Sequence, residues 1–117
     1  MSTGSLGKMG EQIAQGFLKE HGYQIIETNY RYGKNGEIDI VARQGEYLVF
    51  CEVKTRSNDT FGPPENAITP RKQQQVRKLA KAYLFEHEIR NQACRFDVVA
   101  IRLEQGSAHV ELYPNAF

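Results

Sequence analysis

The chain has 117 residues, with 15 Lys and Arg against 14 Asp and Glu and a formal net charge of +1. That length suits a single domain with a core of ordinary size, and the near-neutral charge leaves no global nucleic-acid signature, so any basic surface must come from local clustering. Cys51 and Cys94 make neither a disulfide framework nor a zinc spacing, no run is long enough to span a bilayer, and residues 1–10 lack an apolar signal core, so a cytoplasmic protein with no membrane partner is expected.

Residues 1–7 are small and glycine-rich and are expected to be flexible. Over residues 8–21, Met9, Ile13, Phe17 and Leu18 recur at helical spacing, and Gly22 suits the helix end. Glu11 falls just past the Leu18 edge of the apolar arc. From there it can look along a sheet that the helix covers, although a solvated Glu in the first turn fits the wheel as well. Residues 23–30, YQIIETNY, read as a first strand. The loop RYGKNG follows, with Arg31, Tyr32 and Lys34 able to meet phosphates and bases, or simply to form a hairpin loop.

Residues 37–43 alternate charged and apolar types, and 47–55 are rich in aromatic and β-branched types, with Gln44-Gly45 between them. This pattern predicts a hairpin. Leu48, Val49, Phe50 and Cys51 are apolar on both faces, as in a strand covered above and below, so Glu52 and Lys54 continue a buried face. Charges at such an edge are usually paired or hold a metal. The register decides whether Asp39 joins them. A two-residue turn at Gln44-Gly45 sets Asp39 opposite Phe50 with Glu52 diagonal to it, a four-residue turn sets Asp39 opposite Glu52, and a three-residue turn sends the two acids to opposite faces.

Residues 57–68 read as irregular, with Asn58-Asp59 and Pro63-Pro64 breaking any regular structure. Thr69-Pro70 then opens a helix whose core stripe is Val76, Leu79, Ala80, Tyr83 and Leu84. Its remaining surface carries Arg71, Lys72, Arg77, Lys78 and Lys81, either a solvated face or a phosphate-binding flank. Residues 95–102 form a further strand, and Gln105-Gly106 turns the chain into an edge strand at 109–113. Asp97 on that fourth strand is expected to pair structurally. The order α-β-β-β-α-β-β predicts an α/β sandwich with a mixed central sheet flanked by helices.

Asp39 and Glu52, with Glu11 as a third member, would concentrate negative charge near Lys54. Two like charges about 4 Å apart at an effective dielectric near 20 repel by about 4 kcal/mol, and a divalent cation reverses that. Oxygen-only ligands favour Mg²⁺ or Mn²⁺. Lys54 would orient a water and stabilise developing charge. The competing arrangement is a cross-strand Asp39–Lys54 salt bridge with a solvated Glu52.

Asp39 followed thirteen residues later by Glu52-Val53-Lys54 resembles the PD-(D/E)xK nucleases. Gly10-Glu11, Asn29-Tyr30-Arg31, the run from Gly36 to Ala42, Phe50 to Arg56, the Phe61 to Ile68 loop, Lys72 and Arg95 to Val99 together resemble the bacterial YraN family, which is similar to archaeal Holliday junction resolvases. The superfamily's proline before the aspartate is Ile38 in this chain. The resemblance implies a restriction-endonuclease-like fold and a Mg²⁺- or Mn²⁺-dependent endonuclease acting on DNA, with branched or recombination intermediates as candidate substrates. It places Glu11, Asp39, Glu52 and Lys54 as catalytic, and Asp39, Glu52 and the Val53 carbonyl as metal ligands. Glu37, Glu65 and Lys72 become neighbours of the site, and Arg31, Lys34, Arg56, Arg71, Lys72, Arg77 and Lys78 become nucleic-acid contacts. By analogy a homodimer is expected. The alternative function is a nucleic-acid-binding protein that keeps the nuclease fold without turnover.

Overall fold

The computed structural model describes residues 3–56 and 68–117, with side chains from residue 7. Of the irregular stretch expected over residues 57–68, residues 57–67, Glu65 among them, lie outside the described residues. Helix α1 (Thr3–Glu20) is followed by strands β1 (Gln24–Arg31), β2 (Glu37–Gln44) and β3 (Tyr47–Arg56). Helix α2 (Pro70–Glu86) and strands β4 (Cys94–Glu104) and β5 (Ser107–Tyr113) complete the chain. The order is the expected one. The five strands form one sheet in sequence order, antiparallel except for β3 with β4, which run parallel. Parallel neighbours need a crossover, and α2 lies within it.

Two apolar layers cover the sheet. On one face Ala14 and Leu18 of α1 pack with Ile40, Ala42, Val49, Cys51, Val99 and Ile101. On the other, Val76, Leu79, Ala80 and Tyr83 of α2 pack with Ile38, Val41, Leu48 and Phe50. Strand β3 feeds both layers, as its unbroken apolar run predicts, and Leu48 to Cys51 are at most 1% exposed.

Helix α1 departs from expectation in two ways. It begins at Thr3, so residues 3–7 are helical where a flexible stretch was expected. Its buried stripe is Gly10, Ala14 and Leu18, while Met9 is 41% exposed. The helix turns its small residues to the sheet because these allow the closest approach. A Cβ on Gly10 would stand 1.9 Å from the Thr55 hydroxyl oxygen, so only glycine lets α1 settle on β3 at that point. The helix closes with Tyr23 N–H donating to the Leu18 carbonyl and Gly22 N–H to that of Lys19, a paired termination that also docks Tyr23 on Leu18. At the other helix, Thr69 Oγ1 accepts from Lys72 N–H at 3.1 Å and Pro70 fills the first position, as predicted.

Candidate metal centre and its basic flank

The β2–β3 turn has two residues, Gly45-Glu46, with Gln44 facing Tyr47. Gly45 adopts φ 57°, which a two-residue hairpin turn requires and a side chain resists. Placing the turn one residue later than Gln44-Gly45 shifts every pair, and one step beyond Ile40↔Cys51 sets Asp39 opposite Glu52. The sequence associates that facing with a longer turn; a shifted two-residue turn reaches it instead.

The ladder ends at this level. In its place Asp39 N–H donates to Glu52 Oε2 at 3.3 Å, and Val53 N–H donates to Asp39 Oδ2 at 2.8 Å. Side-chain alternation in β2 breaks here too, because Ile38 packs on the α2 side and Ile40 on the α1 side although two residues separate them. On β1, Thr28 and Tyr30 pair with Ile40 and Ile38, and Asn29 between them takes φ 54°. Asparagine tolerates that backbone better than most residues. Its amide donates to Glu11 Oε1 at 2.9 Å and to Glu37 Oε1 at 3.3 Å, tying α1 to the start of β2.

Three carboxylates converge as a result. Glu11, Glu37 and Asp39, all half-buried, each bring an oxygen within 4.8 Å of the others. Glu52, only 2% exposed, borders this trio through the Asp39 N–H, and its second oxygen lies 3.4 Å from Lys72 Nζ. Glu52 is therefore neither solvated nor dependent on Lys54 for its salt bridge. Lys54 is half-buried, follows Glu52 on the same face of β3, and helps hold the Glu52 carboxyl down.

Burial pushes the Asp39 carboxyl up to about 7, and the charges of Glu52, Glu11 and Glu37 add to that push while the Val53 N–H opposes it. The Glu52 carboxyl is also raised by burial, against the pull of Lys72, the Asp39 N–H and Lys54. Up to about pH 7 the Asp39 carboxyl therefore favours keeping its proton. The converging group is made of carboxylates alone, a donor set that suits Mg²⁺, Mn²⁺ or Ca²⁺ better than zinc.

A cleft of about 520 Å³ opens beside Glu52, lined by Lys34, Asn35, Thr69, Arg71, Lys72, Gln74, Gln75 and Lys78. Gln75 of α2 donates to the Asn35 carbonyl at 2.7 Å and clamps the β1–β2 loop against the helix. Four expected nucleic-acid contacts, Lys34, Arg71, Lys72 and Lys78, meet in this cleft. The other three lie elsewhere. Arg31 pairs with Glu37 at 2.9 Å, Arg77 lies over the rings of Phe96 and Phe117 at 5.5 and 5.3 Å, and Arg56 ends β3 half-buried. Val53 enters the centre through its N–H.

Sequence reasoning quoted Asn29 within a motif but gave it no role, and missed Gln75. A polar Asn inside an otherwise strand-like run was the available signal for the first, and nothing local marks the second.

The family model described as "Uncharacterised protein family UPF0102" matches residues 10–101, which span every acid of the centre and all of α2. The chain belongs to this family. A UPF0102 protein of Pelobacter propionicus is 50% identical over 114 residues, covering 95% of this chain and 81% of its own. UPF0102 proteins of Moorella thermoacetica and Acetivibrio thermocellus are 47% and 44% identical, each across 95% of this chain and 93% and 89% of their own lengths. In this chain the family-matched region also contains Asn29, whose amide gathers the acids, and Gly10, which admits the helix. No helix among the described residues is long and apolar enough to cross a membrane.

Proposed function

We propose that the protein is a divalent-metal-dependent endonuclease acting on DNA, with branched or recombination intermediates as its substrate class. The observation that carries this reading is the convergence of Glu11 and Glu37 on Asp39, whose carboxyl is pushed up to about 7 by burial and by its acidic neighbours. A pocket that crowds like charges is suited to a cation, and a carboxyl perturbed by burial together with specific charged neighbours is a functional-site candidate. The PD-(D/E)xK resemblance supplies the reaction class, and the adjoining lysine- and arginine-lined cleft suits a phosphate backbone.

Asp39 would hold the metal together with Glu11 and Glu37, and Glu52 and the Val53 carbonyl are the further ligands that the resemblance implies. When bound, such a metal polarises the scissile phosphate and lowers the pKa of a water. Lys54 orients the attacking water and stabilises charge as it develops, while Lys34, Arg71 and Lys78 hold the flanking phosphates. The test is a cleavage panel of linear, flapped and four-way DNA with and without Mn²⁺. Cleavage should require the metal and disappear in Asp39→Ala and Lys54→Ala while melting curves show an intact fold; activity surviving both substitutions sinks the assignment. A second reading, nucleic-acid binding without turnover, draws on the Lys72–Glu52 pairing, which engages one of the expected ligands. Salt-sensitive DNA binding with no cleavage of any substrate would select it.

A further inference from the structure

We infer that the basic cleft is a phosphate subsite whose occupancy tightens cation binding at the acidic centre, with Lys72 as the element that couples them. The inference rests on the metal reading above and adds a linkage to it. Lys72 belongs to both places. It lines the cleft beside Lys34, Arg71 and Lys78, and its Nζ reaches Glu52 Oε1 at 3.4 Å. Its side chain is 31% exposed while that of Glu52 is 3% exposed, so one ammonium spans an open cavity and a buried acid.

Among the described residues Lys34, Arg71 and Lys78 have no carboxylate within ion-pair distance, and the described lining of the cleft holds cations and amides with no acid. A phosphate oxyanion is the ligand chemistry that suits several cations sharing one open pocket. Once seated, it draws the Lys72 ammonium away from Glu52. Glu52, which accepts the Asp39 N–H, is left with one cation fewer, and the pocket it borders becomes more negative. A divalent cation then binds more tightly. By linkage the cation strengthens phosphate binding by the same factor.

The experiment titrates Mn²⁺ into the full chain, follows free Mn²⁺ by electron paramagnetic resonance, and repeats the titration with a saturating 5′-phosphorylated thymidine dinucleotide at fixed ionic strength. The dinucleotide should tighten Mn²⁺ by about tenfold, an ordinary factor for linked sites. Lys72→Met should bind Mn²⁺ more tightly than the wild type does without the dinucleotide, and should lose most of the tenfold response. Lys72→Gln serves the same purpose if the Met variant fails to fold. Lys78→Met should weaken the dinucleotide yet keep the response once it is saturating. A full tenfold response in the Lys72 variants overturns the coupling and assigns the effect to direct contact between phosphate and metal. Mn²⁺ binding that Asp39→Asn abolishes but the dinucleotide does not tighten defeats the coupling and leaves the metal reading standing. Mn²⁺ binding indifferent to Asp39 defeats both.

Discussion

Asp97 and Asp39 stand on strands either side of β3, and their surroundings differ in one respect, the supply of donors. Asp97, fully buried, accepts from Tyr23 OH at 2.8 Å, from Arg95 Nε and Nη2 at 2.9 and 2.8 Å, and from Asn115 N–H at 2.9 Å. Arg95 also donates to Tyr23 OH and to Gln44, and lies against the rings of Tyr23 and Tyr47. Asp39 has the Val53 N–H and is pressed by three other acids. The same side chain is a structural bolt where donors match its charge and a strongly perturbed carboxyl where they do not.

Removing the bolt should have the largest effect. Asp97→Ala removes the carboxylate from the part-buried Arg95 guanidinium and leaves the Tyr23 hydroxyl and the Asn115 N–H without their acceptor, and should cost about 3–5 kcal/mol in urea unfolding; a loss below about 1 kcal/mol would erase the distinction between the two aspartates. Next comes Gly10→Ala, whose new methyl group meets Thr55 and must lift α1 from β3. We expect a cost of about 2 kcal/mol for this overpacking, with weaker Mn²⁺ binding because Glu11 moves with the helix.

Asp39→Asn should act in the opposite direction. Relieving the repulsion should stabilise the fold by about 1–2 kcal/mol at pH 8, as removal of a functional charge cluster often does. The pH dependence sharpens this contrast. The Asp39 carboxyl titrates near 3.8 in an open chain and at about 7 in the fold, so between these values the folded state holds the extra proton. Stability contributed by this group is therefore present at low pH, falls as pH rises from about 4 to about 7, and is flat above that. Glu52, also raised, has the same sign. Asp39→Asn should flatten the slope measured by thermal melts across pH, whereas the wild type at pH 8 should regain stability on adding Mn²⁺. The smallest effect belongs to Thr69→Ala, which loses the cap of the helix that carries Lys72 and should cost about 1 kcal/mol by denaturant titration.

The elements were legible because local signals agreed. The alternation of residues 37–43, the two-sided apolar run at Leu48 to Cys51 and the Thr69-Pro70 start each match an element found in place. Burial of Glu52 also followed, since it extends that run. Register did not, because Gln44-Gly45 and Gly45-Glu46 are both acceptable two-residue turns and only the packed sheet chooses between them. The inward face of α1 was read only in part, with Leu18 and Ile13 placed correctly and Met9 not, for a related reason. Periodicity weights large apolar residues, and the helix instead presents Gly10, Ala14 and Leu18 so that it can lie close to Thr55. Convergence of Glu37 with Glu11 depends on the reversed backbone of Asn29, and the Lys72–Glu52 pair joins residues twenty positions apart; neither leaves a periodic trace.

The negative half of the centre is complete by residue 52, whereas Lys72 and the parallel neighbour of β3 come later in the chain. A ribosome therefore releases the mutually repelling side chains before the ammonium that quiets Glu52. The α1–β3 portion emerges with β3 as an open margin and with Glu52 lacking its salt-bridge partner Lys72. Docking of α2 and β4 closes that margin and brings Lys72 to Glu52.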